Sequence, residues 1–185
     1  MIKKKILIAT GGTGGHIFPA VSLANYLLSK NYNVQLTIDK RGFKYIKNYD
    51  HLSLIKISSS PLIKKNFLSI LHSVFIIIFS ILNSFLFLII NRPSIIFGMG
   101  GYSSFPICFA ASILKIKFVI YENNLIVGKA NRFLLPFAQK ILVSYKELEG
   151  IPKKYENKIK EIGNIIREEI INLNFTNSED KFENI

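Results

Sequence analysis

The stretch ATGGTGGHIFPA, at residues 9–20, places four glycines and a histidine directly after a short apolar run. Glycine permits positive backbone φ angles and lets a ligand approach the main chain without a Cβ in the way. If a helix begins here, its unpaired N–H groups and its positive dipole end attract phosphate groups. A turn without a ligand needs only one or two glycines. We therefore expect a phosphate or diphosphate at this turn, and a ligand-free turn is the alternative.

His16 follows the last of these glycines and is the candidate for acid–base chemistry. An imidazole at a helix N-terminus is shifted toward its neutral form, because the positive dipole end disfavours a second proton. A neutral imidazole at pH 7 can accept a proton from an attacking hydroxyl group. A bound diphosphate would shift the pKa in the opposite direction, and a histidine that only caps the turn is the alternative.

Two further stretches have a similar composition at the ends of apolar runs. FGMGGYSSFP, at residues 97–106, repeats the order of strand, glycines and helix start, and Ser103 and Ser104 could cap that helix. YENNLIVG, at residues 121–128, carries Glu122 beside two asparagines, a set suited to binding hydroxyl groups, with ordinary turn polarity as the alternative. Because parallel strands end at one edge of a sheet, we expect the three stretches to form one site.

The common nucleotide motifs do not fit these stretches. A P-loop requires lysine followed by serine or threonine after its last glycine, and His16 stands there instead. The dinucleotide pattern GxGxxG fails because its third glycine would be Ile17 or Ser103. Asp39, at the end of the second predicted strand, leaves a nicotinamide dinucleotide as a weak alternative. The three histidines and one cysteine are too scattered for a zinc site, so we predict no metal and no cofactor.

Apolar runs alternate with helical patterns along the chain, which is typical of a parallel sheet covered on both faces. We predict an α/β fold with a Rossmann-like parallel sheet and helices on both faces. Pro19 is expected in the first turn of the first helix. The predicted strands are KKKILIAT, NVQLTID, LSLIKIS, SIIFGMG, KFVIYEN, KILVSY and KIKEIGN, and the predicted helices are HIFPAVSLANYLLSK, residues 67–91, SSFPICFAASILK and GKANRFLLPFA.

Length and charge limit the classes of function. A chain of 185 residues is expected to form one domain, and its formal net charge of +12 favours an anionic partner. The lysines are spread along the chain without aromatic–basic motifs, so we do not expect nucleic acid to bind. The single cysteine, Cys108, excludes an internal disulfide and fits a reducing compartment, where it is expected to be a core residue.

The stretch at residues 66–91 is uncharged and long enough for a bilayer span. Its polar residues fall on one helical face, and the remaining surface is too apolar for one sheet contact to bury. A full crossing would place the following strand on the opposite side of the membrane from the first strand. We therefore expect residues 67–90 to lie at an anionic membrane surface, with Arg92 at the rim. A transmembrane hairpin and a plain core helix are the alternatives.

Four motifs, in this order, resemble the N-terminal half of the MurG family of GT-B glycosyltransferases: GGTGGHIFPA, GMGGYSSFP, ENNLIVGKANRFL and IGNIIR. The resemblance covers residues 3 to about 168. These bacterial enzymes transfer N-acetylglucosamine from UDP-N-acetylglucosamine to lipid I, which forms lipid II in peptidoglycan synthesis. The resemblance implies that the sheet is one half of a GT-B fold, in which the active site lies between two Rossmann-like domains.

The resemblance assigns roles to individual residues. Four residues match the family's first loop and by resemblance contact substrate diphosphate or sugar: Thr13, Gly14, Gly15 and His16. Four others form the loop that the resemblance assigns to the acceptor: Gly100, Gly101, Tyr102 and Ser103. The family's HEQN motif falls on residues 121–124, where Tyr121 replaces the histidine, Asn123 replaces the glutamine, and Glu122 and Asn124 match. Its GNPVR motif falls on residues 163–167, where Ile165 replaces the proline and Arg167 resembles the ligand of the donor diphosphate.

By this resemblance the chain is an inverting hexosyltransferase in which His16 or Glu122 removes the proton from the acceptor hydroxyl. Residues 1–168 would be the acceptor and membrane-associating domain, and residues 169–185 an interdomain linker or a disordered tail. The donor domain is absent, so we expect no turnover by this chain alone and consider a separate donor-domain chain as a partner. The expected location is the cytoplasmic face of the bacterial inner membrane, as a peripheral protein. The alternative is a non-catalytic membrane-anchoring subunit that recruits a donor-binding glycosyltransferase chain.

Overall fold

Seven short parallel strands form the centre of the computed structural model, which describes residues 3–46, 48–57, 67–167 and 170. The strand order is β3-β2-β1-β4-β5-β6-β7. The predicted tail at residues 169–185 lies outside the described residues, apart from Ile170. The elements are β1 (Lys5–Ala9), α1 (Gly14–Ser29), β2 (Asn33–Ile38), β3 (Ser53–Lys56), α2 (Phe67–Asn91), β4 (Ile95–Gly98), α3 (Gly101–Ile113), β5 (Phe118–Glu122), α4 (Lys129–Leu134), β6 (Lys140–Val143) and β7 (Ile159–Glu161), with 3-10 turns at Phe43–Tyr45 and Lys153–Lys158.

The helices cover both faces of this sheet, which confirms the predicted Rossmann-like architecture. One core cluster joins α1 to the sheet, and the other joins α2, α3 and α4 to its opposite face. The central strand β5 is buried along its whole length, as its continuous apolar sequence requires. The chain direction across the sheet reverses between β1 and β4, which pair directly with Ala9 opposite Gly98. In open α/β sheets, ligands bind at the carboxyl ends of the strands at such a reversal.

Two helix starts differ from the sequence-based expectation. α1 begins at Gly14 after Thr13, so Pro19 is the sixth residue of the helix rather than part of its first turn. α3 begins at Gly101, directly after Gly100, so Ser103 and Ser104 lie buried inside the helix and do not cap it. Both expectations were wrong for the same reason, because the glycines themselves complete the turn and the helices begin earlier.

The helix α2 has the predicted bounds and packs with its polar side toward the domain. Ser73, Ser80 and Ser84 are buried together with Leu88, while the apolar residues between them face outward. Small side chains let α2 pack closely against α3, its main partner. By length and composition Ile70–Asn91 could cross a membrane, with a mean hydropathy of 2.7. However, β1 and β4 share one sheet, so a single crossing between them is excluded.

We call the outward side of this helix the outer face of α2. Its residues that are more than half exposed are Leu68, Leu71, Phe75, Ile78, Phe79, Leu82, Leu86 and Ile90. Exposed phenylalanines continue the apolar surface past α3, since Phe133 contacts Phe105 edge-on and Phe137 contacts Phe109 in the same way. An apolar surface of this extent marks an interaction site rather than ordinary solvent-facing structure.

Cys108 lies in the core cluster behind this surface and is fully buried. Burial raises the pKa of its thiol to about 12. The residue therefore acts as a small apolar side chain, as expected from the sequence.

Two leucines two positions apart in α2 test the direction in which the helix docks. Leu88 is 0% exposed and Leu86 is 59% exposed. Leu88→Ala is expected to lower the free energy of unfolding by about 2–4 kcal/mol, because it leaves a cavity in the core. Leu86→Ala is expected to change it by less than about 0.5 kcal/mol. Urea unfolding in a non-ionic detergent measures both, and equal losses would contradict the described packing.

Candidate functional site

The carboxyl ends of β1 and β4 carry two glycine loops that contact each other. A Cβ placed on Gly101 would lie 3.3 Å from the Gly11 carbonyl oxygen, and one placed on Gly11 would overlap Ser103. Gly100 and Gly101 have φ angles of +85° and +75°, which side-chain-bearing residues rarely adopt. The glycines are therefore required by the close approach of the two loops. The structure brings the first two predicted stretches together as expected.

The imidazole of His16 lies between these loops. A Cβ placed on Gly100 would lie 2.9 Å from His16 Cδ2 and 3.1 Å from its Nε2. On the other side, Thr13 Oγ1 lies 3.4 Å from His16 Nδ1. The ring is half-buried and belongs to the first turn of α1. The glycine pair thus leaves the space that the imidazole occupies.

The surroundings lower the pKa of His16 below its ordinary value of 6.5. Burial is the main cause, because it disfavours the charged imidazolium. The nearby carboxylate of Glu122 raises the pKa, and the guanidinium of Arg41 lowers it further. The predicted direction is confirmed, whereas the main cause is burial rather than the helix dipole. His16 is therefore neutral at pH 7 and able to accept a proton.

Arg41 is a site residue that the sequence analysis missed. Its Nε and Nη2 lie 2.8 Å and 2.7 Å from Asp39 Oδ2, and a Cβ on Gly12 would lie 3.6 Å from Nη2. The other oxygen of Asp39 accepts the N–H groups of Gly12 and Gly42 at 2.9 and 3.0 Å. Asp39 thus fixes the glycine loop and the guanidinium together. The signal that could have revealed Arg41 is its place just after β2, at the same sheet edge.

Glu122 holds the third stretch in place through four hydrogen bonds. Its Oε1 accepts the backbone N–H of Asn124 at 3.1 Å and the side-chain amide of Asn124 at 2.6 Å. Its Oε2 accepts the Gly128 N–H at 2.8 Å and Asn131 Nδ2 at 3.1 Å. Glu122 itself is only 2% exposed. The amide of Asn124 thus faces Glu122, and this carboxylate organises residues 122–128.

Asn123 connects the third stretch to the first. Its Nδ2 donates to the Gly15 carbonyl oxygen at 3.0 Å. In a regular helix the residue four positions later would donate to that carbonyl, but this residue is Pro19, which has no N–H. Proline inside α1 thus leaves an acceptor that a residue 108 positions away in the sequence uses. All three predicted stretches therefore meet around His16.

Arg167 reaches this site from the end of the described chain. Its guanidinium carbon lies 4.5 Å from the ring centroid of Phe18, which follows His16 on α1. Two positions before it, the Ile165 N–H donates to the Tyr121 hydroxyl at 3.2 Å. Tyr121 and Ile165 are two of the residues that differ from the resembled family motifs, and they contact each other. Tyr102, the remaining loop residue, is half-buried in the first turn of α3.

The arrangement combines one neutral imidazole, two helix starts and two arginines at one sheet edge. Such a set can accept a proton and bind a diphosphate. Among the residues that the structure describes, no three His, Cys, Asp or Glu side chains are grouped to hold a metal ion.

Comparisons with known proteins agree on one family. Residues 6–143 match the family described as "Glycosyltransferase family 28 N-terminal domain". A curated relative from Pelagibacter ubique (strain HTCC1062) is 39% identical over 171 residues, covering 92% of this chain and 47% of the relative. One from Rickettsia canadensis (strain McKiel) is 38% identical over 174 residues, with the same coverage. Both are named UDP-N-acetylglucosamine--N-acetylmuramyl-(pentapeptide) pyrophosphoryl-undecaprenol N-acetylglucosamine transferase. The chain spans about half the length of these relatives.

Solved structures share the fold at lower sequence identity. The crystal structure of Acinetobacter baumannii MurG matches with a TM-score of 0.69 at 22% identity, covering 86% of this chain and 45% of that chain. The S. aureus MnaA–UDP co-structure matches with a TM-score of 0.62 at 17% identity, covering 88% of this chain and 44% of that chain. These likenesses identify the sheet as one half of a GT-B fold.

Replacing Arg41 tests the electrostatics of the site. Arg41→Met is expected to raise the pKa of His16, because it removes a positive charge that disfavours imidazolium. It also leaves the negative charge of Asp39 less compensated, which acts in the same direction. Lys40→Met, at the exposed neighbouring position, is the matched control and is expected to leave the pKa unchanged. NMR titration of the His16 ring protons measures each midpoint. A wild-type midpoint above 6.5, or no rise in Arg41→Met, would contradict this description.

Proposed function

Because the chain belongs to the glycosyltransferase family 28 N-terminal domain family, we propose that it is the acceptor-side part of a peptidoglycan hexosyltransferase. The proposed reaction transfers N-acetylglucosamine from UDP-N-acetylglucosamine to lipid I and yields lipid II, in keeping with the names of the curated relatives. Since the chain spans about half of those relatives, a second domain would bind the donor. That domain would lie further along the same polypeptide or on a separate chain.

The observation that carries this proposal is the position of His16. The imidazole is neutral at pH 7, lies at the carboxyl edge of the sheet and is bordered by two glycine loops. Glycines leave room for a substrate to approach the main chain. A base in this position serves a reaction in which a hydroxyl group must lose its proton as it attacks.

In the proposed mechanism, the acceptor sugar hydroxyl attacks the anomeric carbon of the donor sugar. A bond forms between that oxygen and that carbon, and the bond from the carbon to the diphosphate of UDP breaks. His16 Nε2 takes the hydroxyl proton. The contact between Thr13 Oγ1 and His16 Nδ1 supports the required tautomer, because an Nδ1–H that donates to Thr13 leaves the Nε2 lone pair available.

The groups that would bind diphosphate are the helix starts and the arginines. Thr13, Gly14 and Gly15 present backbone at the start of α1, where anions are stabilised. Arg167 adds a guanidinium beside the same helix. On the other loop, Gly100, Gly101, Tyr102 and Ser103 would face the acceptor at the start of α3.

The contacts of Glu122 favour His16 as the base and a positioning role for Glu122. Both carboxylate oxygens already accept two hydrogen bonds each, and two of the four donors are backbone N–H groups. Protonation of Glu122 would disrupt these contacts. We infer that Glu122 and Asn124 shape the loop that presents Asn123 to α1.

We also propose that the outer face of α2 rests on the anionic inner membrane, at its cytoplasmic face. The lipid tail of the acceptor remains in the bilayer, so the enzyme must work at its surface. The exposed apolar residues of α2 and the phenylalanines near α4 would enter the interface. Arg92 at the end of α2 and Arg132 on α4 would contact anionic headgroups.

Replacing His16 tests the catalytic proposal. In an enzyme completed with a donor domain, His16→Ala is expected to lower kcat by roughly 10²–10⁴, because the attacking hydroxyl would lack its base. His51→Ala is the matched control, since His51 is exposed and contacts Asn25 on the surface. Transfer of radiolabelled N-acetylglucosamine to a lipid I analogue measures both. A loss below tenfold in His16→Ala would rule out this role.

Charged substitutions on α2 test the membrane proposal. The double variant Phe75→Asp/Phe79→Asp is expected to weaken binding to anionic phospholipid vesicles at least about tenfold, since burying each phenylalanine stabilises by roughly 1.5–3 kcal/mol. Tyr26→Asp is the control, because Tyr26 is equally exposed but lies on α1, on the opposite face of the sheet. Vesicle co-sedimentation measures binding. Equal loss in the control, or none in the double variant, would contradict the proposed orientation.

A further inference from the structure

We propose that the Tyr121 hydroxyl is a positioning group for Arg167. It fixes residues 163–165 against the end of β5 and thereby holds the Arg167 guanidinium over Phe18, beside the first glycine loop. The use of Arg167 as a diphosphate ligand rests on the proposed function, whereas the contacts that position it are independent of any ligand. Tyr121 does not touch substrate in this proposal and acts only through Arg167.

The first step is the hydrogen bonding of the hydroxyl. Tyr121 is 3% exposed, and its hydroxyl lies 2.8 Å from Ser144 Oγ. It accepts the Ile165 N–H at 3.2 Å and donates to the Gly163 carbonyl at 3.4 Å. A hydroxyl has one proton and two acceptor sites. With Ser144 donating, the hydroxyl uses all three and ties residues 163–165 to the sheet.

The second step is the path of the chain after β7. The Ile162 N–H donates to the Val143 carbonyl at 2.9 Å, which extends the pairing with β6. Gly163 then turns the chain with a φ of +74°. Ile165 packs on the core cluster that contains α1. Arg167 follows two residues later and can lie at most about 7 Å along the chain from that anchor.

The third step is the contact of the guanidinium. Its carbon lies 4.5 Å above the Phe18 ring. That ring is itself held, because it packs edge-on against Tyr45 and lies 2.9 Å from where a Cβ on Gly14 would be. A cation–π contact at a partly exposed site is weak by itself. The anchoring of Ile165 therefore decides how much of the time Arg167 stays beside the loop.

The hydroxyl can be separated from the packing of the ring. Tyr121→Phe keeps the buried ring and removes only the hydrogen bonds to residues 163–165. The double variant Tyr121→Phe/Ser144→Ala also removes the hydroxyl that would be left without its tyrosine partner, and it serves if the single variant folds poorly. Tyr145→Phe is the matched control, because the Tyr145 hydroxyl contacts only the side chain of the same segment, at Asn164 Nδ2.

The experiment is NMR on the isotopically labelled 185-residue chain in detergent. The ring current of Phe18 shifts the Arg167 side-chain resonances upfield, and Phe18→Leu identifies this shift by abolishing it. Tyr121→Phe is expected to reduce the shift by at least about half and to accelerate amide exchange at Ile165 about three- to tenfold. Titration with inorganic diphosphate is expected to show a similar three- to tenfold loss of affinity, with no further loss when Arg167→Ala is added. Tyr145→Phe is expected to leave all three readouts unchanged.

An unchanged Arg167 shift in Tyr121→Phe, with faster exchange at Ile165, would overturn the proposal, because the hydroxyl would then anchor only its immediate partner. An unchanged exchange rate would overturn it as well. If the wild-type chain binds no diphosphate, the proposed ligand role of Arg167 fails. The Arg167 shift would still decide whether Tyr121 positions this side chain.

Discussion

The site depends on the close approach of two glycine loops at the point where β1 and β4 diverge. The Gly11 carbonyl and Gly101 are so close that a side chain at residue 101 would be both strained and crowded. His16 occupies the space that Gly100 leaves, and burial there keeps its imidazole neutral. Any shift of one strand relative to the other would separate the loops and expose the ring. The register of β1 with β4 therefore fixes the chemistry of the site as well as the fold.

Around this contact, three long-range interactions hold the remaining groups. Asp39 binds both the first glycine loop and Arg41. Asn123 uses the carbonyl that Pro19 leaves without an N–H donor. Tyr121 anchors the segment that carries Arg167. Each interaction joins the carboxyl end of one strand to another element, so the sheet edge behaves as one connected unit. The apolar outer face of α2 belongs to the opposite face of the same sheet, so a membrane contact there leaves the α1 side accessible.

The parts of the fold that depend on local pattern were predictable from the sequence. Continuous apolar runs gave the strands, and the uncharged stretch gave α2 with its observed bounds. Helix starts were less predictable, because positive-φ glycines at residues 100 and 101 took the place that Ser103 and Ser104 were expected to fill. Arg41 and the contact of Tyr121 with Ile165 could not be found this way, since they join residues far apart in sequence. The burial of serines on α2 was equally hidden, because periodicity shows a polar face but not where it docks.

The most direct test of the account is transfer of radiolabelled N-acetylglucosamine from its UDP donor to a lipid I analogue in detergent. The 185-residue chain would be assayed alone and then with a donor domain from the same genome. The account predicts transfer only in the mixture, because this chain supplies the base and the acceptor side of the cleft. No transfer in the mixture, with the chain folded and bound to anionic vesicles, would contradict it and favour a membrane anchor without catalytic function.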